Sequence, residues 1–195
     1  YEYVDRKSGA SARLTIAAYE YMVSSAERRM YLNDESDTVI RISDFLSIIP
    51  AVNGKLELVY EGEQEGSYIV VLNLISKTIK TIFNNTFPVV NIKSKDKKKD
   101  NPYKIIQDWF EKNKIKLRND LSNEDYNNSL HQINGLKEIV KKKLSGIDPK
   151  ETNFYMEFLL HGIAENSLIS KKYTNTSIDF KDLISDIFSG EKELK

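Results

Sequence analysis

The stretch LTIAAYEYMVSSAERRMYL, residues 14–32, decides the fold of the first part of this chain. Its apolar side chains recur at spacings of three and four residues, which places them on one stripe of an α-helix. Gly9 and Ser11 stand just before it, where small and hydroxyl-bearing residues cap a helix. The sequence therefore predicts a long amphipathic helix that begins near Ser11.

The same periodicity recurs through most of the chain on either side of this stretch. It predicts helices at 43–49, 68–84, 103–112, 122–132, 136–144, 151–169 and about 179–188. Residues 55–60, KLELVY, alternate in polarity and fit either a strand or the entrance to a helix, since no partner strand is evident. The fold class predicted from these patterns is all-α.

The composition excludes several classes of protein. The chain has 195 residues, 29 basic and 29 acidic side chains and no Cys. Without Cys there is no disulfide framework, thiol catalysis or cysteine-ligated metal. A neutral chain has no global field to attract nucleic acid or an anionic membrane, and no apolar run approaches the roughly 18 residues that a membrane span needs. The sequence predicts a cytoplasmic protein with no nucleic-acid or membrane partner.

The charge is distributed unevenly along the chain. Residues 1–86 carry 9 basic and 12 acidic side chains, and residues 87–195 carry 20 and 17. Five of the six Arg lie in the first 41 residues, which favours that part for anion recognition because Arg offers a planar fork of donors. The run KSKDKKKDN at 93–101 marks a boundary. We therefore expect domains at 1–86 and 102–195, joined by a linker or mobile loop at 87–101.

No motif for self-contained catalysis is present. The chain lacks a phosphate-binding P-loop, a dinucleotide fingerprint, a nucleophile elbow and a zinc-protease motif. His131 and His161 lie thirty residues apart without the carboxylate spacing of a metal site, so each is expected to cap or pack locally. The four carboxylates in ELVYEGEQEG fit a solvated turn or pairing with nearby Arg better than a cation site. We expect no catalytic residue and no metal site in this chain.

The segment Ser8-Gly9-Ala10-Ser11-Ala12-Arg13 comes directly before the first long helix. An Arg at a helix start can point past the helix end toward an anion that is bound elsewhere. The spacing alone favours the other interpretation, a surface Arg behind an ordinary Gly/Ser cap. The residues by themselves leave both interpretations open.

A longer pattern resembles a known family. The SGASAR segment, the sequence Ala26-Glu27-Arg28-Arg29 at the end of the first helix, and the segment from Pro50 to Gly66 that contains GKLELVYEGEQEG are similar to the C-terminal part of magnesium-chelatase-like ATPases. These belong to the AAA+ class and are related to the MoxR group. The resemblance covers about a third of the chain closely, and Pro102–Phe110 and Leu159–Lys171 resemble the family's weaker tail.

The resemblance implies a helical AAA+ lid followed by a helical C-terminal extension. In that family the nucleotide-binding core precedes the lid, and this chain opens with Tyr1 rather than Met, so we expect a fragment whose core lies before residue 1. Arg13 matches the sensor-2 position, where an Arg approaches the nucleotide phosphate when the core is present. ATP and Mg²⁺ would be cofactors of the parent protein, with none bound by this chain alone.

The resemblance also implies partners. They are the upstream ATPase core, a ring of identical parent chains, and a von-Willebrand-type partner protein. Arg28, Arg29 and Arg41 are expected to pair with Glu57 to Glu65 and hold the lid helices in register. The alternative function is a helical protein-interaction module without nucleotide coupling.

Overall fold

A computed structural model describes residues 3–5, 10–52, 55–90 and 101–184. The chain divides into two compact units, Tyr1–Thr78 and Ile79–Lys195. The first unit contains a 3-10 helix (Ile42–Ile48) and the start of a helix in which the division falls. Its α-helices, in chain order, are α1 (Ala12–Leu32), α2 (Ile49–Val52), α3 (Tyr60–Glu65) and α4 (Ser67–Thr86).

Helix α1 forms where the periodicity predicts it. Ser11 is its N-cap, and the Ser11 hydroxyl accepts a hydrogen bond from the backbone N–H of Arg13 at 3.3 Å. The helix packs against the 3-10 helix and α2. Ala26 and Arg29 are its buried residues, so the contact with the 3-10 helix is made around its C-terminal half.

The segment KLELVY forms neither a regular strand nor a helix entrance over its whole length. Leu56 and Leu58 make isolated antiparallel bridges to Ala10 and Val4, and α3 begins at Tyr60. The backbone N–H of Ser11 donates to the carbonyl of Lys55 at 3.1 Å. These bonds attach the residues before α1 to the residues before α3.

The second unit combines helices with a small sheet. Its helices after α4 are α5 (Lys104–Phe110), α6 (Asn123–His131), α7 (Leu136–Lys143) and α8 (Thr152–Glu165). Its strands are β1 (Ile115–Arg118), β2 (Ser170–Tyr173) and β3 (Ser177–Lys181). The three strands form one antiparallel sheet in the order β1-β3-β2.

The prediction of an all-α fold is therefore wrong, because the second unit is mixed. The helix expected at about 179–188 is replaced over 179–181 by the end of β3, Leu183 and Ile184 are helical as expected, and residues 185–188 lie outside the described part of the chain. In β3, Ile178 and Phe180 are buried and pair with Leu117 and Ile115 of β1. These partners are about sixty residues away in sequence, so a local periodicity could not reveal them.

The core of the second unit is built around α8. Nine residues of this helix are buried, including Gly162 and His161. Gly162 lies against Phe83: a Cβ added at Gly162 would come within 1.9 Å of the Phe83 ring. The absence of a side chain at Gly162 is thus what allows the aromatic ring to pack on this helix.

The division into domains at 1–86 and 102–195 with a linker at 87–101 stays a prediction. Residues 91–100 of that linker lie outside the described part of the chain. Phe87 is buried and stacks on Phe83 with the ring centroids 5.3 Å apart.

Candidate functional sites

Arg13 lies in the first turn of α1, and its side chain is exposed. Among the described residues its guanidinium forms no ion pair. The turn that carries it is fixed by the Ser11 cap and by the bridge between Ala10 and Leu56. The structure thus presents a free guanidinium on a positioned backbone, at the helix end where the unpaired N–H groups also favour an anion.

Arg29, by contrast, is buried and serves the interior of the first unit. Its Nη1 lies 2.6 Å from Asp44 Oδ1, and its Nη2 donates to the carbonyl of Val39 at 2.8 Å and to Thr38 Oγ1 at 3.2 Å. The expected pairing of Arg29 with the acidic segment Glu57 to Glu65 is therefore wrong. The partner is Asp44, which comes from the 3-10 helix that packs on α1.

Asp44 is the centre of this interior group. Its two oxygens accept hydrogen bonds from Arg29, from the Ser25 hydroxyl at 2.9 Å and from the backbone N–H of Arg41 at 2.8 Å. Asp44 and Arg29 are each 2% exposed. Both oxygens of Asp44 and both terminal nitrogens of Arg29 are thus hydrogen-bonded, which offsets much of the cost of burying the two charges, while Arg29 Nε has no partner among the described residues.

The remaining charged candidates of this unit are at the surface. Glu57, Glu61, Glu63 and Glu65 are all exposed, as is Arg28. The four carboxylates form no ion pair with any residue that the structure describes. The interpretation of ELVYEGEQEG as a solvated segment fits this arrangement.

A second candidate site is a buried polar cluster in the second unit, which we call the His161 cluster. Its members come from α6, α8 and β2: Tyr126, Glu157, His161, Glu165, Lys171 and Tyr173. His161 has no exposed surface, and Glu157 is 1% exposed. The cluster therefore lies where only paired polar groups are tolerated.

The polar groups of the cluster lie next to one another, although His161 Nε2 has no hydrogen-bond partner among the described residues. The Tyr126 hydroxyl donates to Glu157 Oε2 at 2.6 Å, and Glu157 Oε1 lies 3.9 Å from His161 Nε2. On the other side of the ring, His161 Nδ1 lies 3.4 Å from Lys171 Nζ and 3.5 Å from the Tyr173 hydroxyl. Lys171 also donates to that hydroxyl at 3.0 Å and pairs with Glu165.

Burial lowers the pKa of His161, and the neighbouring Lys171 charge acts in the same direction. Glu157 and Glu165 oppose this effect by favouring the charged imidazole. The ring packs edge-on to Phe180, with centroids 5.1 Å apart, which agrees with the expectation that this His packs locally. The imidazole is inaccessible to solvent, and the contacts of the cluster join α8 to β2.

We expect the second unit to lose stability as the pH falls from 7.5 to 5.5. The pKa of His161 is lower in the folded chain than its value of about 6.5 in the unfolded chain, so in this window the unfolded state binds a proton that the folded state does not. The contribution is complete above the unfolded pKa and is lost progressively as the pH falls below it toward the folded pKa. Urea unfolding followed by the fluorescence of Trp109, the one Trp in the chain, measures the change.

The control for this prediction is the second His of the chain. His131→Gln is the matched substitution, because it removes an exposed imidazole in place of the buried one. His161→Gln should reduce the pH dependence. A pH dependence that persists unchanged in His161→Gln would assign it to the carboxylates and contradict the prediction.

No protein-family model, curated protein or solved structure matches this chain. Within the described ranges, no helix combines the length and the apolar character needed to cross a membrane. The same ranges contain no group of three or more His, Asp or Glu side chains placed to hold a metal ion. What the chain does must therefore be inferred from the geometry of its own residues.

The sequence pointed to Arg13 but missed the His161 cluster. One signal was present: Glu157 and His161 stand four residues apart within the apolar run of α8, and are therefore neighbours on one face. Lys171 and Tyr173 could not be linked to that face, because β2 was not expected. Their approach to His161 depends on the hairpin returning to α8.

Proposed function

We propose that this chain is the non-catalytic C-terminal part of a magnesium-chelatase-like AAA+ ATPase of the cytoplasm. In this role it couples the nucleotide state of an upstream core to lid motion and to remodelling of a partner. The observation that supports the proposal is the exposed Arg13 on a fixed helix start, with no ion-pair partner among the described residues. It stands in the SGASAR segment that carries the resemblance.

The contrast among the Arg residues strengthens this argument. Arg29 and Arg41 are both 2% exposed, and the Arg29 guanidinium is bound to Asp44, so neither side chain is open to an external anion as Arg13 is. Arg13 is free to meet an anion that is supplied from outside the unit. A guanidinium there suits a nucleotide phosphate, whose developing charge it would offset during phosphoryl transfer. ATP and Mg²⁺ would be held by the core, and Arg13 would link the phosphate to the angle of the lid.

We expect Arg13→Ala, in the longer parent chain that carries the core, to lower the ATPase rate at least tenfold, because a phosphate contact made in the transition state is lost. Arg28→Ala is the matched control, since Arg28 is exposed on the same helix. The measurement is steady-state release of phosphate from ATP. Equal effects of the two substitutions would contradict the role of Arg13.

The 195-residue chain provides an independent test. We expect it neither to bind ATP tightly nor to hydrolyse it, because it contains no P-loop. A measurable ATPase rate from the pure chain would contradict the proposal. So would a parent reading frame without a P-loop before Tyr1.

One observation favours the alternative of a protein-interaction module. Several large apolar side chains of α1 are exposed: Ile16, Tyr19, Tyr31 and Leu32 are 62% to 72% exposed. Such side chains are favoured at protein contacts, which fits an ATPase core, a neighbouring subunit of a ring or a von-Willebrand-type partner. Deleting the ATPase core from the parent chain distinguishes the two functions. An interaction module would still bind its partner protein after this deletion.

A further inference from the structure

A cavity of about 560 Å³ opens in the second unit between α6, α7 and the loop that leads into α8. Its walls come from the end of α6, one face of α7, residues 144–149 and the first turn of α8. The volume falls in the range of about 300–1,000 Å³ that is typical of small-molecule sites. No residue of the sensor-2 segment takes part in it.

The cavity carries two unpaired cations. Lys137 and Lys141 stand one turn apart on α7, and both residues line the cavity. Neither forms an ion pair with a residue in the described ranges. The described lining residues include Lys137 and Lys141 and no carboxylate. Asp148 belongs to the same loop but is not among the lining residues, and its Oδ1 accepts a hydrogen bond from the backbone N–H of Lys150 at 2.8 Å. The lining therefore favours an anionic ligand.

Amide and imidazole groups fix one wall of the cavity. His131 Nε2 lies 3.0 Å from Asn153 Oδ1, an acceptor, so this ring nitrogen carries the proton. The Asn153 amide in turn donates to Asn127 Oδ1. Three side chains from α6 and α8 are thereby held in one arrangement before any ligand binds. This reduces the conformational entropy that these side chains lose on binding.

The lining also contains apolar residues. Leu144, Ile147 and Pro149 line the cavity, together with Ser145 and Gly146 of the same loop. A bare inorganic anion would leave these apolar side chains in contact with water, whereas a ligand with an apolar body would cover them. A lining with two cations and three apolar residues matches a phosphate ester with an organic group.

We propose that this cavity binds a small phosphorylated organic molecule. Its phosphate lies between Lys137 and Lys141, which act as point charges for the phosphate oxygens. Its organic part lies on Leu144, Ile147 and Pro149. The site is independent of the proposed ATPase coupling.

The test is an NMR titration of the full chain with phenyl phosphate, with inorganic phosphate and phenol as the other probes. We expect phenyl phosphate to shift the side-chain signals of His131 and Asn153. It should bind about tenfold more tightly than inorganic phosphate, and phenol should not bind. The double variant Lys137→Gln, Lys141→Gln should weaken phenyl phosphate at least tenfold.

The matched control is Lys142→Gln, Lys143→Gln, which removes the same charge from the same helix outside the cavity lining. We expect a change of less than twofold. Equal weakening by the two double variants would show a non-specific response to net charge and overturn the proposal. Absence of shifts at His131 and Asn153 would also overturn it. Urea midpoints from Trp109 fluorescence should be the same for both variants, because these Lys side chains are not buried.

Discussion

Asp44→Ala is expected to destabilise the first unit by about 3–5 kcal/mol, the loss that follows when one partner of a buried ion pair is removed. Arg29 would keep its charge in an interior where it is 2% exposed. The Ser25 hydroxyl and the backbone N–H of Arg41 would lose their acceptor as well. The loss combines an unpaired charge with two unsatisfied donors, and each is costly when it is buried.

The measurement is urea unfolding of the full chain by far-UV circular dichroism, with amide hydrogen exchange of α1 to localise the effect. Trp109 belongs to the second unit and does not report on this one. Glu27→Ala is the control, because it removes an exposed carboxylate from α1 and should change stability by less than about 0.5 kcal/mol.

A double-mutant cycle tests the mechanism behind this loss. Arg29→Met combined with Asp44→Ala should be destabilised by less than the sum of the two single variants, since the double variant contains no unpaired buried charge. Additive effects would show that the ion pair is not the cause. A loss for Asp44→Ala no greater than for Glu27→Ala would contradict the role assigned to this carboxylate.

Gly162→Ala is expected to destabilise the second unit by about 2 kcal/mol, which is the upper end of overpacking in a dense core, about 3 kcal/mol, less the gain in helix propensity. The new Cβ would lie 1.9 Å from Phe83 Cδ2 and 2.4 Å from its Cγ, so the ring has to move. Ala gains about 1 kcal/mol over Gly in helix propensity, and the expected loss is what remains after this gain. The readout is urea unfolding followed by Trp109 fluorescence.

A substitution of Phe83, whose ring faces Gly162, is the control. Phe83→Leu, which shortens the side chain facing Gly162, should cost stability in the parent but less in the Gly162→Ala background, because the clash is relieved there. An unchanged or raised stability of Gly162→Ala would mean that helix propensity outweighs the contact. That result would contradict the packing described here.

The sequence anticipated the helices better than the strands, for a physical reason. The apolar stripe of α1 repeats over many residues, and its signal is local. The strands are four or five residues long, and Phe180 with the apolar residues after it also fits a helical spacing. Ile178 and Phe180 become strand residues through their pairing with Leu117 and Ile115, a contact between distant parts of the chain.

The candidate sites also differ in whether they depend on neighbouring residues or on contacts between distant parts of the chain. Arg13 was found from its position before a helix, which depends on neighbouring residues. The partner of Arg29 could not be found from the sequence, because several acidic residues lie at suitable sequence distances. The choice of Asp44 depends on how the 3-10 helix packs on α1. The cavity of α6 and α7 was not anticipated either, since Lys137 and His131 face a common space only after the helices assemble.

The sequence by itself determined the long helix α1, its cap at Ser11 and the exclusion of cysteine chemistry. Local hydrogen bonding and side-chain periodicity suffice for these. The tertiary structure decided that the second unit contains a sheet, that Asp44 neutralises Arg29 and that His161 lies among Glu157, Lys171 and Tyr173. Each of these depends on burial, where a polar group must find a partner from another element, and only the folded chain determines which partner is near.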